Sequence, residues 1–472
     1  MEVLQRTANR GSISTGEYEI ANSLKTEANN SEYLYRVISS GGNRKTWTIS
    51  AWVKRTELVT SDGGTTIFAV NVSGNEGCLL RWSRENANYY DAIQIDIGAG
   101  GTNSRSYTTS VYRDTSAWYH IVLAVDTTQS TATDRFKLYV NGVLITDYAS
   151  RNNPAQNFDT SNNQAANSCT QHIGAYTSGG QVYGKHSGYF AEVHHIDGTA
   201  YAASDFGEYD DDSGIWKPKA FSGSYGTNGF YLDFEDNTSA GKDTSGNNNN
   251  FSDANLNAAD HATDTPTNNG CTLNVLASLE GTNDITEGAL VSTGKAGGGG
   301  NFNGTYGTMG IDPFNSSVDW YWEIQTSVGT SGSLTDIGIG WIKESRITSG
   351  STIYSDVYGD GISRYSSQTA NAAGDIWGVL LETGATPVMK LYRNDSLIYT
   401  STDGSGGVSF DTLMFPYITV KGTSVDARLN FLNPASSFSI ASGNTDPNGY
   451  GNFEFDPKGG YALCTKNLAE YG

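Results

Sequence analysis

Four residues near the middle of the chain combine carboxylates with imidazoles, groups that could catalyse hydrolysis or bind a metal ion. They are Glu192, His194, His195 and Asp197. Cleavage of a glycosidic bond requires a general acid and a second carboxylate that face the same cleft. Glu192 and Asp197 are five residues apart, which places them on opposite faces of a regular strand. The consecutive histidines point in opposite directions, so both cannot easily bind one ion. This pattern predicts structural roles, no catalytic residue, and a protein that is not an enzyme.

A group of aspartates offers the oxygen ligands that calcium prefers. Its members are Asp210, Asp211 and Asp212, with Asp243 further along the chain. Carboxylate oxygens are hard ligands of the kind that Ca²⁺ selects in proteins. The spacing is not that of an EF-hand, however, and aspartates also cap turns. Two interpretations therefore stay open, a calcium site and a set of turn caps, and no cofactor is required.

Tyrosines in glycine- and asparagine-rich surroundings suggest a surface that binds sugars. One group is Tyr89 and Tyr90, and the other is Tyr354, Tyr358 and Tyr365. Loops on a rigid scaffold commonly carry binding residues, and aromatic rings supply large contact areas. The alternative interpretation is that these tyrosines are half-buried at the ends of strands.

The elements that must position these residues are indicated by a segment that occurs twice. Residues 136–146 read FKLYVNGVLIT and residues 389–399 read MKLYRNDSLIY. Apolar and polar positions alternate in both copies, as they do in half-buried strands. Each copy breaks at a pair of residues, Asn141-Gly142 or Asn394-Asp395, that tolerates the positive φ angles of a two-residue hairpin turn. The repeat predicts two related β-domains.

The rest of the chain supports an all-β fold. The 56 glycines indicate many tight turns, and short apolar runs recur between Gly, Asn and Ser clusters. In the run from Trp47 to Val53, the alternation places Trp47, Ile49, Ala51 and Val53 on one face. Ala21 to Ile38 is the best helical candidate, although its second half alternates well enough to form a strand. We expect two tandem antiparallel β-sandwiches joined by an irregular bridge.

Composition excludes several classes of partner. The net charge of −21 argues against nucleic acid, because phosphate binding needs clustered Lys and Arg. It argues equally against anionic membranes, and no apolar stretch approaches the ~20 residues of a membrane span. The first residues have no basic leader followed by an apolar segment, so no secretory signal is expected. The four cysteines have no zinc spacing, and we expect them to be reduced and buried.

The distribution of strand signals predicts five segments. Residues 1–24 form an N-terminal arm, which could attach to another protein or be an ordinary frayed terminus. Residues 25–235 form the first sandwich, residues 236–270 a polar bridge, and residues 271–435 the second sandwich. Residues 436–472 form a tail that packs on the second sandwich, with a terminal strand at Tyr461–Cys464.

Particular motifs in each half resemble known families. The first half resembles a laminin-G-like, concanavalin-type jelly roll through WTISAWV (47–53), WYHIVLAVD (118–126), LYVNG (138–142) and GYFAEVHHIDGTAYAASDF (188–206). The second half resembles a SPRY domain through WYWEIQ (320–325), IGIGWI (337–342), GDIWGVLLE (374–382), KLYRND (390–395) and MFPYITV (414–420). Asn394-Asp395 replaces the usual Asn-Gly of that family, which leaves the turn plausible.

The combination of the two domains with an Asp-rich connection resembles bacteriophage virion proteins, especially tail or capsid fibres. This resemblance implies a non-enzymatic virion structural protein, assembled in the host cytoplasm and joined to other virion proteins through the N-terminal arm. It implies contact with a host-surface polysaccharide or protein, and a homo-oligomer, with a trimer favoured. The alternatives are a carbohydrate-binding adhesin or lectin-like module and a polysaccharide depolymerase.

Overall fold

A computed structural model gives the structure of the chain. It describes residues 18–58, 64–72, 75–84, 87–98, 105–165, 169–211, 213–276, 283–294, 303–327, 337–349, 362–365, 372–404, 409–420 and 425–472. The described residues form two compact units, which we call the first sandwich (Thr15–Thr267) and the second sandwich (Asn268–Gly472). Of the expected N-terminal arm, residues 1–17 lie outside the described part of the chain.

Twenty strands lie among the described residues of the first sandwich. In chain order they are β1 (Ser23–Thr26), β2 (Tyr33–Val37), β3 (Thr46–Arg55), β4 (Thr65–Val72), β5 (Asn75–Trp82), β6 (Ala92–Asp96), β7 (Arg105–Val111), β8 (Trp118–Asp126), β9 (Phe136–Val140), β10 (Val143–Leu144), β11 (Tyr148–Ser150), β12 (Cys169–Ile173), β13 (Tyr176–Ser178), β14 (Gln181–Tyr183), β15 (Gly188–Asp197), β16 (Gly207–Tyr209), β17 (Trp216–Pro218), β18 (Phe230–Leu232), β19 (Ser252–Ala254) and β20 (His261–Ala262). Short 3-10 turns lie at Ala87–Tyr89, Ala132–Asp134, Ala203–Asp205 and Ala258–Asp260.

Two large antiparallel sheets enclose the core of the first sandwich. One runs in the order β10-β9-β8-β3-β15-β1-β20, with β18 also paired to β15, and the other in the order β11-β7-β6-β5-β4-β12-β2-β19. The predicted inner face of β3 is confirmed, because Trp47, Ile49, Ala51 and Val53 all belong to the central apolar cluster. Trp52 packs instead on the outer side of the sheet with Trp118 and other apolar residues.

The region from residue 236 to residue 270 contributes two strands to these sheets. β19 pairs with β2, and β20 pairs with β1. The segment in which the sequence offers a helical alternative forms β1 and β2, as its alternating second half indicates. The first two strands of the first sandwich therefore pair with its last two strands.

The described residues of the second sandwich form twelve strands and two short helices. The strands are β21 (Asn283–Thr286), β22 (Val291–Gly294), β23 (Asn303–Tyr306), β24 (Trp320–Thr326), β25 (Ile337–Lys343), β26 (Ile362–Tyr365), β27 (Ile376–Glu382), β28 (Val388–Arg393), β29 (Ser396–Thr402), β30 (Met414–Val420), β31 (Asp426–Asn430) and β32 (Tyr461–Ala462). The helices are α1 (Glu344–Ser349) and α2 (Thr465–Tyr471). One sheet runs β21-β22-β31-β24-β27-β28-β29 and the other β23-β30-β25-β26.

The C-terminal tail is tied to the second sandwich by a buried carboxylate. Glu323 on β24 accepts hydrogen bonds from the backbone N–H groups of Glu454 and Phe455, each at 2.9 Å. β32 pairs with β24 in parallel, so the terminal strand that the sequence predicts at Tyr461–Cys464 joins this sheet. The helix α2 follows directly, and no sequence signal indicated it.

The two repeated hairpins are built in the same way. Asn141 and Gly142 have φ angles of 48° and 79°, and Asn394 and Asp395 have 47° and 68°. The side-chain oxygen of Asn141 accepts a hydrogen bond from the backbone N–H of His120 at 2.7 Å. That of Asn394 accepts one from the N–H of Ile376 at 3.0 Å. The predicted turn is confirmed. In both copies the asparagine side chain also joins the turn to the strand that comes before the hairpin, by a hydrogen bond.

The prediction for the cysteines is confirmed, because Cys78, Cys169, Cys271 and Cys464 are all free and buried. Within the described ranges, no helix is both long and apolar enough to cross a membrane.

Candidate functional site

An unusual backbone geometry lies in the middle of β15. The register between β15 and β3 shifts between Ala191 and His194, which marks a β-bulge. Glu192, inside this bulge, has a φ angle of 49°. A non-glycine residue in the left-handed region costs about 1–3 kcal/mol and persists only where its surroundings hold it. Such strain concentrates at functional sites, and bulges re-aim side chains.

The carboxylate of Glu192 is almost completely buried and accepts hydrogen bonds from two tyrosines. Glu192 is 5% exposed, and the hydroxyl groups of Tyr18 and Tyr231 each donate to it at 2.6 Å. His194 Nε2 lies 3.4 Å from the same carboxylate. Burial by itself raises the pKa of Glu192, but the hydrogen bonds and charge of His194 and the two tyrosine hydroxyls bring it below the ordinary value. Glu192 is therefore an ionised acceptor.

The tyrosines around Glu192 stay protonated. Burial and the negative charge of Glu192 raise the pKa of both Tyr18 and Tyr231 well above the ordinary value. Burial, followed by the charge of Glu192, has the same effect on the pKa of Tyr225. All three hydroxyl groups are consequently donors at neutral pH. We call Tyr18, Glu192, His194, Tyr225 and Tyr231 the tyrosine cluster.

Stacked rings give the tyrosine cluster its rigidity. The imidazole of His194 lies on the ring of Tyr231, with centroids 4.3 Å apart and an interplanar angle of 9°. This stacking follows from the register, since His194 is directly opposite Tyr231 in the β15–β18 pair. Tyr225 is nearly parallel to Tyr231, and its hydroxyl group lies 2.9 Å from His194 Nδ1. Tyr18, Tyr225 and Tyr231 are each half-buried.

The asparagine-rich segment after residue 240 holds the tyrosine cluster in place. One oxygen of Asp243 accepts the backbone N–H of Tyr231 at 2.9 Å, and the other accepts that of Asn249 at 2.7 Å. The side-chain amide of Asn247 donates to the carbonyl oxygen of Gly229 at 2.9 Å. The side chain of Asn249 donates to the same oxygen at 2.8 Å. These contacts fix the loop and strand that carry Tyr225 and Tyr231.

The two histidines of β15 face opposite sides of the sheet, as their adjacency predicts. His194 belongs to the tyrosine cluster, whereas His195 stacks on Trp47 and Phe68 in the core. Asp197 also has different partners from Glu192. Its carboxylate accepts hydrogen bonds from the backbone of Asn43 and from other residues outside the tyrosine cluster.

The structure places Tyr89 and Tyr90 on the loop between β5 and β6. They are not part of the tyrosine cluster. Both are half-buried. Tyr89 stacks on Tyr107 with a centroid distance of 4.3 Å, and the guanidinium of Arg84 lies 4.6 Å from the ring centre of Tyr90. Tyr354, Tyr358 and the side chain of Tyr365 lie outside the described residues, so binding by these five tyrosines stays a prediction.

Two of the predicted calcium ligands, Asp210 and Asp243, have protein partners. Asp210 accepts hydrogen bonds from the backbone and side chain of Ser213 and pairs with Lys217 at 3.3 Å. Asp243 accepts backbone N–H groups, as described above. Asp211 is exposed, and Asp212 is among the residues that the structure does not describe. The described part of the chain contains no group of three or more His, Cys, Asp or Glu residues placed to hold a metal ion. Calcium binding stays a prediction.

Sequence reasoning missed the tyrosine cluster. The sequence pairs Glu192 with Asp197 and His194 with His195, and neither pair indicates the tyrosines. The one local signal was the two-residue spacing of Glu192 and His194, which puts alternate residues of a strand on one face. The contribution of Tyr18 could not be read from the sequence, because it is 174 residues from Glu192.

Comparison with known proteins gives one family match. Residues 30–194 match the model described as the concanavalin A-like lectin/glucanases superfamily, a laminin-G type. No curated protein matches the chain. Among solved structures, mouse laminin alpha1 chain domains LG4-5 align at 10% identity and a TM-score of 0.28, covering 92% of this chain and 95% of that one.

Two further solved structures are similar to parts of the chain. A putative carbohydrate-binding protein from Bacteroides ovatus aligns at 17% identity and a TM-score of 0.33, covering 51% of this chain and 61% of that one. A human SPRY domain aligns at 14% identity and a TM-score of 0.22, covering 30% of this chain and 90% of that one. Strands are the main regular structure of the described residues, and the first sandwich has a laminin-G-like, concanavalin-like jelly-roll fold over the matched residues 30–194.

Proposed function

We propose that the first sandwich is a non-enzymatic carbohydrate-binding module whose sugar site is the tyrosine cluster. The observation that carries this proposal is a set of three half-buried tyrosines, two hydrogen-bonded to one buried, ionised carboxylate and the third to His194 beside it. Tyrosine presents an apolar ring for the C–H faces of a sugar and a polar tip for its hydroxyl groups. Rings held by hydrogen bonds and stacking lose little conformational entropy when a ligand binds.

The carboxylate supplies the polar half of the site. Ionised carboxylates accept strong hydrogen bonds from hydroxyl groups. A sugar hydroxyl can take the place of a tyrosine hydroxyl on Glu192, which keeps the buried charge satisfied in the free and in the bound state. Laminin-G-like and lectin-like sandwiches offer rigid sheets on which such loops are mounted, and the match over residues 30–194 supports this setting.

Glycoside hydrolysis does not suit this arrangement. It needs one protonated carboxylic acid beside a second carboxylate. The surroundings lower the pKa of Glu192, so it is ionised at neutral pH.

We expect the intact chain to bind oligosaccharides, and Tyr225→Ala and Tyr231→Ala to weaken that binding about tenfold each, equivalent to about 1.4 kcal/mol. A glycan array would identify bound oligosaccharides, and isothermal titration calorimetry would measure their affinities. Tyr183→Ala is the matched control, because Tyr183 lies on the β13–β14 hairpin and is 45% exposed. Unfolding curves of each variant would confirm that it is folded. Binding that is absent from the wild type, or unchanged in both tyrosine variants, would contradict the proposal.

A place in a bacteriophage particle is the finer proposal, and it rests on the sequence resemblance. We expect mass spectrometry of purified particles to detect the chain in stoichiometric amounts. Its absence from particles made by cells that express it would remove the virion role and leave the sugar-binding proposal intact.

A further inference from the structure

We infer that the tyrosine cluster binds uncharged sugars and rejects sugars that carry a carboxylate, sulfate or phosphate group. This inference rests on the proposed function and specifies its ligand class. It follows from the charges that face the three tyrosine rings. Glu192 accepts hydrogen bonds from Tyr18 and Tyr231, and the charge of Asp233 acts on Tyr18 and Tyr225. Asp243 acts on Tyr225 and holds the backbone of Tyr231.

Within the described residues, the cations near these acidic groups are engaged elsewhere. Lys242 is close to Asp233 but forms its ion pair with Asp236 at 3.0 Å. Arg36 is close to Asp243, yet its side chain is 7% exposed and donates to Gln171 and to the backbone of Asn228. The recorded side-chain contacts of the five cluster residues include no lysine or arginine among the described residues. His194 is the one group of the cluster that can carry a positive charge.

An anionic sugar would therefore lack the partner that anion recognition needs. Proteins bind carboxylate, sulfate and phosphate groups through arginine, lysine or clustered backbone N–H groups. Here the incoming anion would meet a like charge that is shielded from water, where screening by solvent is weak. The net charge of −21 adds a long-range repulsion that acts before contact. A neutral sugar encounters neither penalty.

The test compares sugars that differ only in charge. Oligomers of glucose, galactose and mannose would be titrated into the intact chain beside the corresponding uronic acid oligomers, in which the C6 alcohol is a carboxylate. We expect the neutral oligomer that binds best to have at least tenfold higher affinity than its uronic acid counterpart in about 0.01 M NaCl. In about 1 M salt, where the Debye length falls from ~30 Å to ~3 Å, the ratio should narrow without reaching one.

Two variants test whether Glu192 and Asp233 cause the preference for neutral over anionic sugars. Glu192→Gln should reduce the neutral-to-anionic affinity ratio several-fold, and Asp233→Asn, at a half-buried position, should do so even if the first variant folds poorly. Tyr225→Ala should weaken both ligands and leave the ratio unchanged. Equal or tighter binding of the uronic acid oligomer by the wild type would overturn the inference while supporting sugar binding. Failure of every neutral and anionic oligomer to bind would overturn the proposed function itself.

Discussion

Replacing Asp264 with alanine is expected to destabilise the first sandwich by about 3–5 kcal/mol. Lys54 Nζ lies 2.7 Å from Asp264, and the side chains are 0% and 3% exposed. Asp264 also accepts a hydrogen bond from the indole N–H of Trp118 at 3.0 Å. The variant would leave the buried lysine charge without the Asp264 carboxylate, and the cost of such a change in the interior exceeds that of a lost surface contact. Urea unfolding, combined with hydrogen exchange of peptides from β3 and β15, would measure the change.

Two further variants test the cause of this loss. Asp159→Ala removes an exposed carboxylate that lies 4.0 Å from Lys45, and we expect a cost of about 0–1 kcal/mol. Lys54→Met combined with Asp264→Leu replaces the buried pair with apolar side chains and should recover most of the stability. If Asp264→Ala cost no more than Asp159→Ala, the ion pair would not be the important interaction.

Acidification is expected to destabilise the first sandwich and to spare the second. Burial lowers the pKa of His120, His186 and His195 to about 3 and that of His172 to about 4. An unfolded histidine has a pKa of about 6.5. Between these values the unfolded chain binds more protons, so the free energy of unfolding falls as the pH falls from about 6.5 towards 4. Each histidine contributes up to about 1.4 kcal/mol per pH unit.

The geometry of His120 shows why protonation is costly. Trp216 Nε1 can only donate, so His120 Nδ1 accepts its hydrogen bond at 3.0 Å. His120 Nε2 therefore carries the proton and donates to the hydroxyl group of Ser50 at 2.9 Å. A second proton would sit on Nδ1 and face the indole N–H. We expect His120→Gln to reduce the pH dependence as well as the stability.

The second sandwich is an internal control, because all six histidines of the chain lie before residue 268. Burial raises the pKa of Glu323 to about 7, so this residue favours the folded second sandwich as the pH falls from 7 towards 4.5. Burial raises the pKa of Glu32 in the first sandwich to about 7, which offsets part of the histidine effect. Hydrogen exchange at pH 7.5 and pH 5 would follow both sandwiches. Equal destabilisation of the two would contradict the prediction.

Features that depend only on residues close together in the sequence could be predicted from it. The inner face of β3 and the two asparagine-led turns follow from alternation and from the tolerance of Asn and Gly for positive φ. The tyrosine cluster depends on the bulge at Glu192 in the pairing of β15 with β3, and on the register of β15 with β18. The prediction that Glu192 and Asp197 lie on opposite faces assumes a regular strand. Residues adjacent in the sequence do not show which strands pair with β15. α2 was missed because its seven residues follow a glycine-rich stretch without a helix signal.

The region from residue 236 to residue 270 shows how composition can mislead. Its Asn and Asp residues are typical of a connection between domains. In the structure they accept or donate the hydrogen bonds that hold Tyr231 and the loop before it, and two strands of the sheets follow. Polar composition indicates an exposed surface and many turns, and it does not indicate whether the turns belong to a domain.

The pairing of β1 with β20 determines when the first sandwich can be completed during synthesis. Ser23 and Ala262 are 239 residues apart. At about 5–20 residues per second, a ribosome needs tens of seconds to make the intervening chain. Throughout that interval β1 and β2 lack their outer neighbours, and Lys54 lacks Asp264. A nascent chain that stalls before residue 264 would therefore present open sheet edges to chaperones and proteases.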